Sequence, residues 1–254
     1  MELDNETGKI LNSWGANLFI MPHGLTVDKE DNIWVTDVAL HQVFKFNRDG
    51  QLHMTLGVAN VPGNDSIHFD RPTDVAVAND GSFYVSDGYG NSRIVRFSPA
   101  GKYLFHWGTH GSKVGEFNIP HGLTLDYKGN VYVADRQNNR IQVFDSTGVF
   151  IKLLNNNVSV AQLPAVTVDN VQKVFAIDLD FTADPDTTLK GSTVFKYNDA
   201  DSVEFHFGAT GENQRTESWF HDISIDKQGN IFVGDIHRMK VLKFKAKTIE
   251  KQKE

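Results

Sequence analysis

Apolar and polar residues alternate along this chain in short runs, separated by turns rich in Asp, Asn and Gly. A two-residue period predicts half-buried β-strands, and no segment carries a helical period. His121-Gly-Leu-Thr-Leu125 alternates as an inner strand, Asp126-Tyr-Lys-Gly-Asn130 is a hairpin turn, and Val131-Tyr-Val-Ala134 is a buried second strand. Arg140-Ile-Gln-Val-Phe144 supplies a third strand and Gly148-Val-Phe-Ile-Lys-Leu-Leu154 an outer fourth. Equivalent third strands are Gln42-Val-Phe-Lys-Phe46, Arg93-Ile-Val-Arg-Phe97, Thr193-Val-Phe-Lys-Tyr197 and Lys240-Val-Leu-Lys-Phe244.

The pattern is an internal repeat. Met21-Pro-His-Gly-Leu-Thr-Val-Asp28 returns as Ile119-Pro-His-Gly-Leu-Thr-Leu-Asp126 and again as Trp219-Phe-His-Asp-Ile-Ser-Ile-Asp226. Two further copies keep the frame without the His and carry Thr73 and Pro164 in its place. The five slots are separated by 50, 48, 43 and 57 residues, the period of a β-propeller with one blade per repeat. The reading is a single all-β propeller domain over 1–254, with repeats at roughly 16–60, 66–112, 115–155, 158–208 and 215–246 and a basic tail at 247–254. Gly8-Lys-Ile-Leu-Asn-Ser-Trp-Gly15 reads as an outer fourth strand with no inner three before it. Two placements are open: it completes the three-stranded last blade and closes a five-bladed ring, or it is what is read here of a sixth blade. The histidines occupy repeats one, three and five. In a six-bladed ring such positions lie a third of a turn apart, whereas in a five-bladed ring repeats five and one are neighbours. The expectation is therefore a six-bladed design, of which about five blades and one N-terminal strand are read here.

Composition narrows the function classes. The chain has 254 residues, 40% hydrophobic and 22% charged, with a net charge of −7, which argues against a nucleic-acid surface. No apolar run approaches the roughly 18 residues of a membrane helix, and the first twenty residues are polar and acidic rather than signal-like. There are no cysteines, so a metal would be held by His and carboxylate.

Three histidines in one register, His23, His121 and His221, form a candidate Zn²⁺ site of three imidazoles with an open position, the arrangement of catalytic sites. Asp222 stands where the other His repeats carry Gly24 and Gly122. Strand alternation turns it away from the first ion, so it is a candidate Ca²⁺ ligand or a hydrogen-bonded structural residue. Asp37, Asp87, Asp135, Asp178 and Asp235 close the second strand of every repeat and are expected to serve as turn caps. On the loops beyond them, Tyr89 is a candidate proton-transfer group and Arg136 a candidate for bidentate carboxylate capture.

Longer runs carry a family resemblance. Asn17-Leu-Phe-Ile-Met-Pro-His-Gly-Leu-Thr-Val-Asp28, Trp34 through Phe46, Arg71-Pro-Thr-Asp-Val-Ala-Val77, Tyr84-Val-Ser-Asp-Gly-Tyr-Gly-Asn-Ser-Arg-Ile-Val95 and Val133-Ala-Asp-Arg-Gln-Asn-Asn-Arg-Ile-Gln142 closely resemble the peptidyl-α-hydroxyglycine α-amidating lyases. The likeness weakens from about Asn155 to Glu217 and recovers at His221-Asp-Ile. It implies a six-bladed propeller in which His23, His121 and His221 bind zinc, and in which the Leu25 carbonyl and Asp222 bind a structural calcium. It also implies a catalytic tyrosine at Tyr89 and a substrate-contacting arginine at Arg136. The implied reaction cleaves a peptide ending in α-hydroxyglycine into an α-amidated peptide and glyoxylate, by a monomer working in the secretory-pathway lumen or outside the cell. The sequons at Asn5, Asn64 and Asn157 are compatible with that compartment.

Several departures are visible. The family's first blade, with another active-site arginine and a calcium-binding carbonyl, has no counterpart here, so impaired turnover is expected. A Met and a Pro before the third zinc His are replaced by Trp219 and Phe220. Asp70 with Gly90, and Tyr132 with Val143, stand where vertebrate members have paired cysteines. No copper-monooxygenase domain is expected within these 254 residues. Two other readings stand beside the lyase: a non-catalytic repeat propeller acting as a binding scaffold, and a metal-dependent lactonase. A scaffold has no reason to place His in alternate blades, and the lactonases favour carboxylates at the axis.

Overall fold

The computed structural model describes residues 1–154, 156, 158, 161–179, 192–208 and 218–246. The basic tail at 247–254 and the sequon at Asn157 lie outside those residues. The chain opens with two short strands, β1 (Glu2–Leu3) and β2 (Ile10–Asn12), paired antiparallel. Sheet one then holds β3 (Pro22–Val27), β4 (Ile33–Asp37), β5 (Gln42–Phe46) and β6 (Leu52–Leu56). Sheet two holds β7 (Pro72–Val77), β8 (Phe83–Asp87), β9 (Arg93–Phe97) and β10 (Tyr103–Trp107). Sheet three holds β11 (Pro120–Leu125), β12 (Val131–Asp135), β13 (Arg140–Phe144) and β14 (Phe150–Leu153). Sheet four holds β15 (Gln162–Val168), β16 (Val174–Leu179), β17 (Thr193–Tyr197) and β18 (Val203–Gly208). Sheet five has β19 (Phe220–Ile225), β20 (Ile231–Asp235) and β21 (Lys240–Phe244). The all-β propeller expected from the sequence is the fold. No helix among the described residues is long and apolar enough to cross a membrane.

Turn chemistry sets the first hairpin of the blades. The Asp28 Oδ1 accepts from the backbone N–H of Glu30 and Asn32, and Asp126, Asp169 and Asp226 close their turns in the same way. The Asp series at the end of the second strands does its expected structural work. Asp37 Oδ2 accepts from the N–H groups of Ile20 and Met21, Asp87 from Asp70, Asp135 from Asn118 and Asp235 from Trp219. Each of these buried carboxylates ties down the chain just ahead of its own inner strand.

The core lies between the sheets rather than inside them. Trp34, Val43, Phe83 and Val95 interlock sheets one and two, and Tyr84, Ile94, Leu123 and Val133 interlock two and three. Tyr132, Val143, Val166 and Ala176 join three to four, and Ile177, Val194, Ile223 and Val233 join four to five. Among the described residues no such cluster joins sheet five to sheet one. The inner strands β3, β7, β11, β15 and β19 pack successively, with no comparable contact from β19 back to β3. On the two flanks of that gap, Leu25 is 55% and Val241 60% exposed.

Of the two placements open to the N-terminal strand, completion of the last blade is not the one observed: the last sheet keeps three strands and β2 pairs with β1. Asp4 explains this: its carboxylate accepts from the N–H groups of Glu6 and Thr7 and from the Thr7 hydroxyl, and Gly8 follows at φ +68°, which closes a local hairpin. The hairpin still bridges the gap by side chains. Glu2 pairs with Arg48 of sheet one, and Glu6 with Lys243 of sheet five. Trp14 and Phe19 behind it pack on Phe46 and Phe44.

Glycines gauge the gap. A Cβ on Gly122 would stand 2.8 Å from both the Cα of Ala165 and the carbonyl oxygen of Pro164 in the next blade, whereas a Cβ on Gly234 meets nothing within 4 Å. We expect Gly122→Ala to destabilise the protein by about 1–3 kcal/mol and Gly234→Ala to change stability by less than about 1 kcal/mol. Urea unfolding of the two variants beside the parent checks the contrast.

Candidate metal centre

Each inner strand carries a β-bulge at the repeat slot. The register shifts between Pro22 and Leu25, Pro72 and Asp74, Pro120 and Leu123, Gln162 and Ala165, and Phe220 and Asp222. A bulge adds a residue and re-aims the side chains around it. It brings His23, His121 and His221 to the axis, where their ring centroids are 4.7 Å apart in all three pairs. Their ligand atoms lie within 4.8 Å of one another. An equilateral triangle from blades one, three and five is the spacing of a six-bladed ring, since five equal steps would bring His221 and His23 closer together than the other pairs.

Two of the imidazoles are oriented by the neighbouring blade. The Nδ1 of His23 donates to the Thr73 carbonyl at 2.7 Å, and that of His121 to the Pro164 carbonyl at 2.8 Å. Donation from Nδ1 leaves Nε2 unprotonated and turned inward, the tautomer a metal needs. Thr73 and Pro164 are the slot residues of the two repeats without His. The sequence could not reveal this role, because any residue has a carbonyl. His221 has no such hydrogen bond among the described residues. Burial and the surrounding charges hold all three rings below the usual histidine pKa. His121 is pushed well down by burial and by its two partners, and His221 falls to about 3 through burial, His23 and Arg136. Three neutral, convergent imidazoles are a donor set that fits Zn²⁺.

The loops bring in the two polar candidates. Tyr89 follows β8, and its hydroxyl lies 3.1 Å from His23 Nε2 and 3.0 Å from His121 Nε2. Gly88 permits this approach, because a Cβ there would collide with the Pro120 carbonyl at 1.9 Å. Arg136 opens the 3₁₀ turn Arg136–Asn138 after β12, and its Nη1 donates to the Tyr89 hydroxyl at 3.2 Å. Burial pushes the Tyr89 phenol upward while Arg136 pulls it down. The structure thus brings His23, His121, His221, Tyr89 and Arg136 to one point. It does not bring in the side chain of Leu25, which pairs with Val35 on β3 and is over half exposed.

Asp222 corrects one expectation. Strand alternation was to turn it away from the axis, but the bulge interrupts the alternation, and Asp222 lines the same narrow axial cavity as the histidines. The residue as a whole is exposed, yet burial around its carboxyl pushes the pKa up to about 6. Across the cavity stands Asp74, a residue the sequence reading passed over. Its carboxylate accepts from the N–H groups of Val75 and Leu123, and burial together with the charge of Asp222 pushes its pKa up. The signal was present. Gly24, Asp74, Gly122, Ala165 and Asp222 share one register, and two of the five are carboxylates. The two pairs that the resemblance sets against paired cysteines also lie together: Tyr132 and Val143 are cross-strand partners, and Gly90 rests against the Asp70 carboxyl.

The chain is similar to several known proteins. The NHL repeat family model matches residues 19–46, 69–97 and 117–144. The peptidyl-glycine alpha-amidating monooxygenase B of Xenopus laevis is 39% identical over 256 residues, covering 98% of this chain and 29% of its own length. The probable peptidyl-alpha-hydroxyglycine alpha-amidating lyase pgal-1 of Caenorhabditis elegans is 35% identical over 248 residues, covering 93% of this chain and 67% of its own. A streptogramin B lyase structure aligns over 87% of this chain and 64% of that one with a TM-score of 0.60. At 16% identity that likeness speaks for the fold alone. The chain spans well under half the length of the Xenopus relative.

His121 is the ring most sheltered from water, and its depressed pKa has a signed consequence. In the unfolded chain it protonates near 6.5, and in the fold it stays neutral, so stability is full above 6.5 and is lost as pH falls below it. Without metal, we expect the parent to lose about 1–2 kcal/mol more than His121→Asn between pH 7 and pH 5. Urea unfolding in chelating buffer at a series of pH values measures the difference.

Proposed function

This chain belongs to the peptidyl-α-hydroxyglycine α-amidating lyase family, and from that premise we propose that it is a metal-dependent carbon–nitrogen lyase. Its substrate in this reading is a peptide ending in α-hydroxyglycine, and its products are the α-amidated peptide and glyoxylate. The observation that carries the reading is the convergence of three neutral imidazoles, a phenol and a guanidinium on one point of the axis.

A Zn²⁺ held by His23, His121 and His221 would supply Lewis acidity, together with the positive charge that brings Tyr89 to its phenolate form. Arg136 holds the substrate's terminal carboxylate by charge-assisted hydrogen bonds and fixes the hydroxyl-bearing carbon beside Tyr89. Tyr89 takes the hydroxyl proton as the carbonyl of glyoxylate forms and the C–N bond breaks. The same proton is then delivered to the departing amide nitrogen, so the reaction needs no water and no redox partner. The second cation in this reading is Ca²⁺, with Asp222 and the Leu25 carbonyl as ligands and Asp74 as a further carboxylate on the same cavity. The exposed sequons at Asn5 and Asn64 agree with work on peptide precursors in the secretory-pathway lumen or outside the cell.

We expect about one zinc per chain by elemental analysis and its loss in His121→Ala. The loaded parent should release glyoxylate from an α-hydroxyglycine peptide. Tyr89→Phe should keep its zinc and lose roughly 10²-fold or more in kcat. Zinc that is indifferent to His121, or a Tyr89→Phe enzyme of full activity, would contradict the assignment.

A further inference from the structure

Arg136 reaches the axis from sheet three, but what aims it comes from sheet four. The Nε of Arg136 donates to Gln162 Oε1 at 2.9 Å, and Gln162 sits at the first position of β15, just before the bulge that carries Pro164. The other end of the same amide donates from Nε2 to Gln137 Oε1 at 3.2 Å, which fixes the amide with its oxygen toward the arginine. An arginine has no acceptor, so only this orientation of the amide serves it.

Resting on Arg136 as the carboxylate-binding residue, we propose that Gln162 is a positioning residue that sets substrate affinity by holding the plane of the Arg136 guanidinium. A guanidinium offers N–H groups along fixed edges, and the edge containing Nε is the one that Gln162 engages. A carboxylate arriving at Arg136 therefore meets the Nη edge, whose Nη1 already points at the Tyr89 hydroxyl 3.2 Å away. The acceptor is a neutral amide, so this contact aims the arginine without neutralising it. A carboxylate at 162 would satisfy the same Nε but would offset the positive charge and compete with the substrate. The electrostatic pull of Arg136 reaches Tyr89 and the three histidines.

The test is steady-state kinetics of the zinc-loaded full chain with an α-hydroxyglycine peptide, for Gln162→Met, Arg136→Ala and the double variant. Methionine keeps the length and removes the acceptor. Gln162→Met is expected to raise KM about tenfold, the loss of one hydrogen bond to a charged group, with kcat changed less than about threefold. In the Arg136→Ala background the same change is expected to have no further effect on KM, because there is no guanidinium left to aim. Gln162→Glu is expected to raise KM at least as much as Gln162→Met. The melting temperature of Gln162→Met should stay within about 2 °C of the parent, which separates positioning from folding. An unchanged KM in Gln162→Met beside a raised KM in Arg136→Ala overturns the positioning role and leaves the carboxylate reading standing. An equal rise in KM with and without Arg136 also overturns it. An unchanged KM in Arg136→Ala overturns the carboxylate reading itself, and this inference with it.

Discussion

The site depends on a hydrogen bond that crosses between blades. His23 and His121 each donate from Nδ1 to a carbonyl of the next inner strand, and that contact decides tautomer, ring plane and direction together. It requires two inner strands to approach closely, and Gly24 and Gly122 make this possible. A Cβ at Gly24 would come within 2.5 Å of the Thr73 carbonyl oxygen, the same atom that His23 uses. At His23 and His121 glycine and histidine are thus a coupled pair, the small residue letting the next inner strand come close enough to receive the imidazole's hydrogen bond. Blades two and four carry no His, yet they are half of the metal site.

The axial cavity then sorts its charges by depth and access. Buried imidazoles stay neutral because charging them in a dry site is costly and Arg136 stands nearby. Asp74 is under the opposite pressure, pushed up by burial and by a second carboxylate. One ring of residues gathers soft nitrogen donors, and the adjacent ring gathers oxygen donors. A single axial cavity therefore presents two chemically distinct donor sets, imidazole nitrogens and carboxylate oxygens, on consecutive residues. The bulge makes this possible, since regular alternation would have sent one of the two rings to the opposite face.

Much of this was legible in the sequence. Strand alternation, the Asp-rich hairpin turns and the repeat period led to the propeller. The shared His slot led to the triad, and the phase of that slot led to six-fold spacing. What stayed hidden depends on backbone rather than side chains. The carbonyls of Thr73 and Pro164 have no residue signature. The bulge has none either, so Asp222 was sent to the wrong face and Asp74 was overlooked. Gln162 was hidden for a third reason: it touches Arg136 only because sheets three and four meet at the rim. The apolar pattern of the N-terminal strand left its partner open, and the Asp4 turn closes it into a local hairpin.

The seam between sheets five and one gathers the remaining irregularities into one cause. His221 lacks the orienting carbonyl that its two partners have, Asp222 is exposed where Gly122 is buried, and Gly234 faces open space where Ser86 and Thr36 reach the next blade. Each is a residue of sheet five whose counterpart elsewhere leans on a following inner strand. The five described sheets nevertheless hold the three imidazoles at equal separations. The angular step between neighbouring blades rests on the packed core between each pair. A metal site built on alternate blades inherits that property. Its triangle is fixed by four consecutive interfaces, and its weakest corner is the one beside which no fifth is described.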